Sequence, residues 1–179
     1  MAVEERDTEK ELISHSVKGD QRAFRQIYDK YSPKMYMVAL RYMNSDQDAQ
    51  DVLQDGFIKI YQKLASFKFA GSFEGWCRRI VVHTAIEALR KSKQNLFDGI
   101  DALQAESTTS GSLEQLQLED LMKSIRELPL GYRTVFNMYV IEGYSHKEIA
   151  EELGITTNTS KSQLFKARNY LQQLLGKRH

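Results

Sequence analysis

The sequence predicts an all-α protein of two small helical domains joined by a flexible linker. Three observations carry this. Apolar residues recur at helical spacing almost throughout, alternating β-branched runs bounded by turn signals are missing, and one Ser/Thr/Gly-rich stretch interrupts the pattern. That stretch, "SKQNLFDGIDALQAESTTSGS" (92–112), has no sustained period. It places a linker at 94–112 between domains at 1–93 and 113–179.

The elements follow in order. Ala23, Ile27 and Tyr31 predict a first helix, and Met35, Val38, Ala39 and Tyr42 a second. A third runs from about 46 to 64, and a fourth from Phe73 to about Lys91, starting at a Ser72 cap. After the linker, periodicity resumes with Leu118, Leu121, Met122, Ile125 and Leu128, and Pro129 with Gly131 stops that helix. Two further helices precede the terminal one.

The chain has 179 residues and a net charge of only +1, so nucleic-acid binding must come from charge placement and not from overall basicity. No apolar run is long enough to span a bilayer, and the acidic start "MAVEERDTEKEL" lacks a signal peptide's apolar stretch. A cytoplasmic, soluble protein without direct membrane insertion is the expectation. The single cysteine, Cys77, excludes an internal disulfide framework and a multi-thiolate metal site.

The C-terminal pair carries the first chemical signal. In "GYSHKEIAEELGITTNTS", Ser145 followed by Glu148 is a capping box, and Gly154 is placed to end the helix in a left-handed conformation. A second helix begins near Thr157. Helix, glycine turn, helix is the helix-turn-helix pattern, whose second member enters the major groove. On a helical wheel Leu164, Ala167, Leu171 and Leu174 form one apolar stripe, while Asn158, Lys161, Ser162, Phe165 and Lys166 lie on the other side. Residues 157–179 hold five Lys and Arg side chains and no acid. Lysines neutralise phosphates or reach guanine edges, Asn and Ser bond bases or phosphates, and Phe can touch a thymine methyl. Ser160 falls on the inward side, where its hydroxyl is expected to bond a carbonyl of the preceding turn. A valine there would add buried hydrocarbon, an expected gain of about 0.5–1.5 kcal/mol.

Two faces of the N-terminal half are also unusual. Residues 42–58 carry four aspartates and no Lys or Arg, and Asp48, Asp51 and Asp55 share the face opposite Leu53, Phe57, Ile60 and Leu64. Gln54 and an outward-leaning Ile58 flank them. An acidic first turn suits the helix dipole, which accounts for Asp46 and Asp48 but less well for Asp55. Di-metal helices pair Glu with a His three residues on, and no His lies here, so the surface suits a basic protein partner better than a metal. In the fourth helix Trp76, Arg79, His83, Glu87 and Arg90 share one face, beside a loop holding Phe67, Phe69 and Gly71. Aromatic and basic residues together suit a strand with unstacked bases. Trp76 as a core anchor is the plain alternative.

These blocks, in this order, resemble the extracytoplasmic-function (ECF) sigma factors of bacteria, in the sigma-70 family. "DAQDVLQDGFIKIYQKL" resembles the family's core-polymerase-binding helix, and "SFEGWCRRIVVHTAIEALRK" its −10 recognition helix. "LPLGYRTVFNMYVIEGYSHKEIAEELGI" looks like the opening of its σ4 domain, and "TSKSQLFKAR" like its −35 reading helix. The resemblance covers about residues 20–93 and 116–175. It implies a σ2 domain, a linker threaded through polymerase and a σ4 domain, forming a transcription initiation factor that binds core RNA polymerase through its β′ and β subunits. Asp48, Asp51, Gln54, Asp55 and Ile58 would meet the β′ coiled coil. Phe69, Ser72, Trp76, Arg79, His83 and Arg90 would bind the −10 element of promoter DNA, and Asn158, Lys161, Ser162, Phe165 and Lys166 the −35 element. It also implies an anti-sigma factor as a further partner. His83 stands where the family often has asparagine, Gln163 where arginine is frequent, and Ser160 where a β-branched apolar residue usually packs.

A helix-turn-helix regulator with a ligand-sensing or dimerising N-terminal half is the competing reading. It wants an apolar dimer face in residues 20–93, which neither unusual helix supplies. An enzyme is less favoured, since no phosphate-cradling glycine loop, HExxH or nucleophile elbow occurs and the four histidines are scattered. No catalytic, metal or cofactor site is predicted.

Overall fold

The computed structural model describes the backbone of residues 2–92 and 118–176 and side chains within 8–92 and 121–174. The linker expected at 94–112 lies outside the described residues. The chain divides into two compact units, Met1–Ala88 and Leu89–His179. Every regular element among the described residues is helical.

The first unit opens with α1 (Ala2–Val17), a helix that the apolar pattern did not reveal. Its inward side is part polar. Ile13 and Ser16 are buried, and the Ser16 hydroxyl donates to the Leu12 carbonyl at 2.7 Å. Half-buried Glu9 accepts from the Tyr31 hydroxyl of the next helix, and Lys30 lies 3.4 Å from the same carboxylate. Burial, reinforced by Glu9, pushes the Tyr31 phenol well above its ordinary value.

Asp20 caps α2 (Gln21–Tyr42), accepting from the Arg22 and Ala23 amides. The two helices expected here are one. Pro33 lies inside α2 on its exposed side, where the carbonyl it leaves unbonded can turn to water. The buried stripe of Ala23, Ile27, Tyr31, Met35, Val38 and Tyr42 passes Pro33 without losing its period.

Ser45 caps α3 (Asp46–Lys63), which packs on α2 and leads through a 3₁₀ turn, Leu64–Ser66, to the loop before α4 (Phe73–Lys91). The α3–α4 crossing is close at Gly56, where a Cβ would lie 3.0 Å from Val81 Cγ2. Phe73 anchors the start of α4, its ring 5.4 Å from that of Tyr31. Cys77 is fully buried, and burial raises its thiol far above the range where a reactive thiolate forms.

The second unit comprises α5 (Leu118–Arg126), α6 (Leu130–Phe136) continued by a π-helical turn (Asn137–Ile141), α7 (His146–Leu153) and α8 (Thr157–Gly176). Pro129 starts α6 as well as following α5, and Gly131 lies inside α6, buried, and not in a stop. Helix α8 packs against α5, α6 and α7. Arg133 is buried beneath them, donating to the Arg126 carbonyl at 2.9 Å. Burial and the Arg126 charge lower its guanidinium to about 10, still cationic at neutral pH.

Candidate nucleic-acid interface

The helix-turn-helix is built by local chemistry. In the capping box the Ser145 amide donates to Glu148 Oε2 at 2.8 Å, and the Glu148 amide to Ser145 Oγ at 3.2 Å. Gly154 ends α7 at φ 67°, a conformation that disfavours any Cβ. The chain then turns into α8, where the Thr159 amide donates to Thr156 Oγ1 at 3.0 Å.

Helix α8 has the two expected sides. Leu164, Ala167 and Leu171 are buried, with Leu174 half-buried at the end of the stripe. Asn158, Lys161, Ser162 and Phe165 are exposed, and Lys166 is half-buried. Phe165 leaves 66% of its surface open, which no core role explains. The Ser162 hydroxyl donates to the Thr159 carbonyl at 2.9 Å, so its oxygen is oriented to accept.

Two residues of α8 sit differently from expectation. Ser160 is fully buried as its phase requires, but its hydroxyl meets His146 Nδ1 at 2.9 Å and not a carbonyl of the preceding turn. The His146 ring in turn stacks on Tyr139, with centroids 4.4 Å apart and planes 23° apart. Gln163, at the position where the family often has arginine, is buried, and its Oε1 has no hydrogen-bond partner among the described residues.

In the first unit Asp48, Asp51, Gln54, Asp55 and Ile58 are all exposed on α3. Asp48 accepts from the Ser45 hydroxyl at 2.6 Å, and Asp51 from Gln47 at 3.2 Å. Among the described residues no Lys or Arg pairs with Asp48, Asp51 or Asp55. Gln54 and Ile58 also border an apolar groove of about 700 Å³ between α2 and α3, floored by Phe57 and walled by Phe24, Tyr28 and Tyr61. Sequence reading missed this groove because half of its wall comes from α2. Ile58, 50% exposed, was the available signal.

The aromatic–basic helix is more divided. Ser72 caps α4, accepting from the Gly75 amide at 3.0 Å. Trp76 is half-buried and stacked on Phe73, centroids 5.6 Å apart, with Phe67 at 5.4 Å. It is therefore anchored on one side and open on the other. Trp76, Arg79 and His83 share a groove of about 230 Å³ with Lys59 and Lys63 of α3, whose basic contribution sequence reasoning did not assign. Glu87 tempers the charge there, holding Lys59 at 2.6 Å. Arg90 is exposed but does not line the groove. Phe69 packs on Phe67 with centroids 5.0 Å apart and stays 47% exposed. Its φ of 56° is the only positive value at a non-glycine among the described residues.

Residues 27–95 match the model of sigma-70 region 2, and residues 118–171 that of sigma-70 region 4. The ECF RNA polymerase sigma-E factor of Escherichia coli (strain K12) is 32% identical over 174 residues, covering 90% of this chain and 91% of that one. The chain belongs to the ECF sigma factors. The RNA polymerase sigma-H factor of Pseudomonas aeruginosa is 28% identical, covering 98% of this sigma factor and 96% of its own length. Two solved structures share the fold. They are CnrH in complex with the cytosolic domain of CnrY (22% identity, TM-score 0.51, covering 95% and 98% of the two chains), and RpoE with the anti-sigma factor NepR from Bartonella quintana (24%, 0.52, 86% and 96%). As a sigma factor the protein is a transcription initiation factor and not an enzyme, binding core RNA polymerase and directing it to promoters. Among the described residues no helix is long and apolar enough to cross a membrane.

Proposed function

We propose that the sigma factor divides promoter recognition between two domains, 1–93 as the σ2-like and 113–179 as the σ4-like domain. The outward face of α8 (Asn158, Lys161, Ser162, Phe165 and Lys166) reads the −35 element. Phe69, Ser72, Trp76, Arg79, His83 and Arg90 engage the −10 element, with Trp76 offering its free side to an unstacked base. Asp48, Asp51, Gln54, Asp55 and Ile58 dock on the β′ coiled coil of polymerase, and a β-subunit contact completes the complex. The protein acts in the cytoplasm, and an anti-sigma factor restrains it, a reading supported by the partner named for the Bartonella RpoE.

The observation carrying this reading is Phe165, exposed beside Lys161 and opposite a buried apolar stripe. Run-off transcription with purified core polymerase and a genomic promoter library tests it. Transcripts that depend on this protein and share −35 and −10 elements are the expected result. Lys161→Ala should weaken use of the −35 element and make DNA binding less salt-dependent. Unchanged promoter use by a folded Lys161→Ala would count against the face assigned here.

A further inference from the structure

We infer that His146 is a positioning residue for promoter reading, holding the first turn of α8 in place through Ser160. The inference rests on the reading of α8 as the −35 helix. His146 is the first residue of α7, yet it ties three elements together. Its ring lies nearly parallel to Tyr139 of the π-helical turn, and its Nδ1 lies 2.9 Å from Ser160 Oγ in α8. Ser160 is fully buried, so its hydroxyl has no water to replace this partner.

The rest of the inward face of α8 is held by Leu164, Ala167 and Leu171. Apolar packing is non-directional, whereas a hydrogen bond weakens steeply as it bends. The His146–Ser160 contact therefore fixes the rotation of the helix end in a way the leucines do not. That end is where helix-turn-helix proteins meet base edges. Lys161 directly follows Ser160, and Asn158 precedes it by two residues, so the direction in which both leave α8 follows from where Ser160 sits. Neither His146 nor Ser160 belongs to the outward face, so both act through the residues that do.

The test uses the full-length protein with core polymerase on a promoter recovered from the run-off library, compared with the same promoter carrying a scrambled −35 element. His146→Phe retains a flat ring over Tyr139 and deletes the nitrogen, Ser160→Ala deletes the hydroxyl, and His146→Asn returns a polar atom near the Nδ1 position. His146→Phe and Ser160→Ala should each lower the preference for the intact element roughly fivefold to tenfold, the worth of one hydrogen bond. The double variant should lose no more than either single one, and His146→Asn should retain most of the preference. Losses that multiply in the double variant, or a His146→Asn as poor as His146→Phe, overturn the inference. Should His146→Phe fail to fold, Ser160→Ala decides alone, and undiminished preference there overturns it. Lys161→Ala run alongside separates the two readings. Preference lost in Lys161→Ala but intact in Ser160→Ala defeats this inference only, whereas preference intact in Lys161→Ala defeats the assignment of the face and this inference with it.

Discussion

His146 gives up its proton more readily in the folded chain than in the unfolded one. Burial disfavours the imidazolium, and the Lys161 and Arg168 charges add to this, so its folded pKa lies below the ordinary value. The unfolded chain then binds the proton first as pH falls, and the stability contributed by neutral His146 is complete above about pH 6.5. It declines as pH drops from there through the lowered folded value. Denaturant melts at pH 7.5 and pH 5.5 should show a loss in the second unit that is smaller in His146→Phe. The same contact reverses the expectation for Ser160→Val. A branched side chain must fit where the hydroxyl lies 2.9 Å from a ring nitrogen, in a site with no open surface. Losing the bond costs about 1 kcal/mol, and overpacking offsets the added hydrocarbon. Ser160→Val should therefore destabilise by about 1 kcal/mol in melts, where sequence alone pointed to a gain. The inward phase of Ser160 was legible from its neighbours. Its partner was not, because His146 lies fourteen positions away and hydrogen-bonding pairs across a turn leave no periodic trace.

Helix α3 shows how one element serves two neighbours. Gly56 faces α4, and Val81, itself fully buried and stiff at χ1, would have its Cγ2 only 3.0 Å from an added Cβ. Alanine would gain about 1 kcal/mol of helix propensity, but the contact has little room to yield. Gly56→Ala should leave a net loss of about 1 kcal/mol, read as a lower denaturant midpoint for the first unit. Another side carries Asp48, Asp51 and Asp55, none of which pairs with a Lys or Arg among the described residues. Reversing Asp51 and Asp55 to Lys breaks no ion pair within the described residues, so folding should stay within about 0.5 kcal/mol of wild type. Recovery of core polymerase in a pull-down should nonetheless fall roughly thirtyfold or more where the charges are buried against the partner. Full recovery by the folded double variant would remove this face from the polymerase interface. The acidic side of α3 was legible because charge and apolar residues alternate within one helix. The continuity of α2 through Pro33 was legible too, in the unbroken stripe from Ala23 to Tyr42, but a proline invites a break when its exposure is unknown.

For the whole molecule, a net charge of +1 with basic faces on two separate units predicts weak binding of duplex promoter DNA by the protein alone. Polymerase, by fixing both units, raises the effective concentration of the second contact. Titrations of promoter DNA with and without core enzyme should differ by at least about a hundredfold in affinity. Tight, sequence-specific binding by the isolated protein at moderate salt would favour the autonomous regulator instead. By itself the sequence determined the helical class, both faces of α3 and α8, the capping box at Ser145 and the glycine turn at Gly154. Each of these is written within one or two turns of chain, where the 3.6-residue period and cap chemistry act. Only the tertiary structure decided that α1 packs through Glu9 and Ser16, that Lys59 and Lys63 join the groove of Trp76, and that His146 seats Ser160. Those contacts join segments far apart in sequence, and which polar group meets which depends on how the helices cross, a geometry set by packing that no local pattern records.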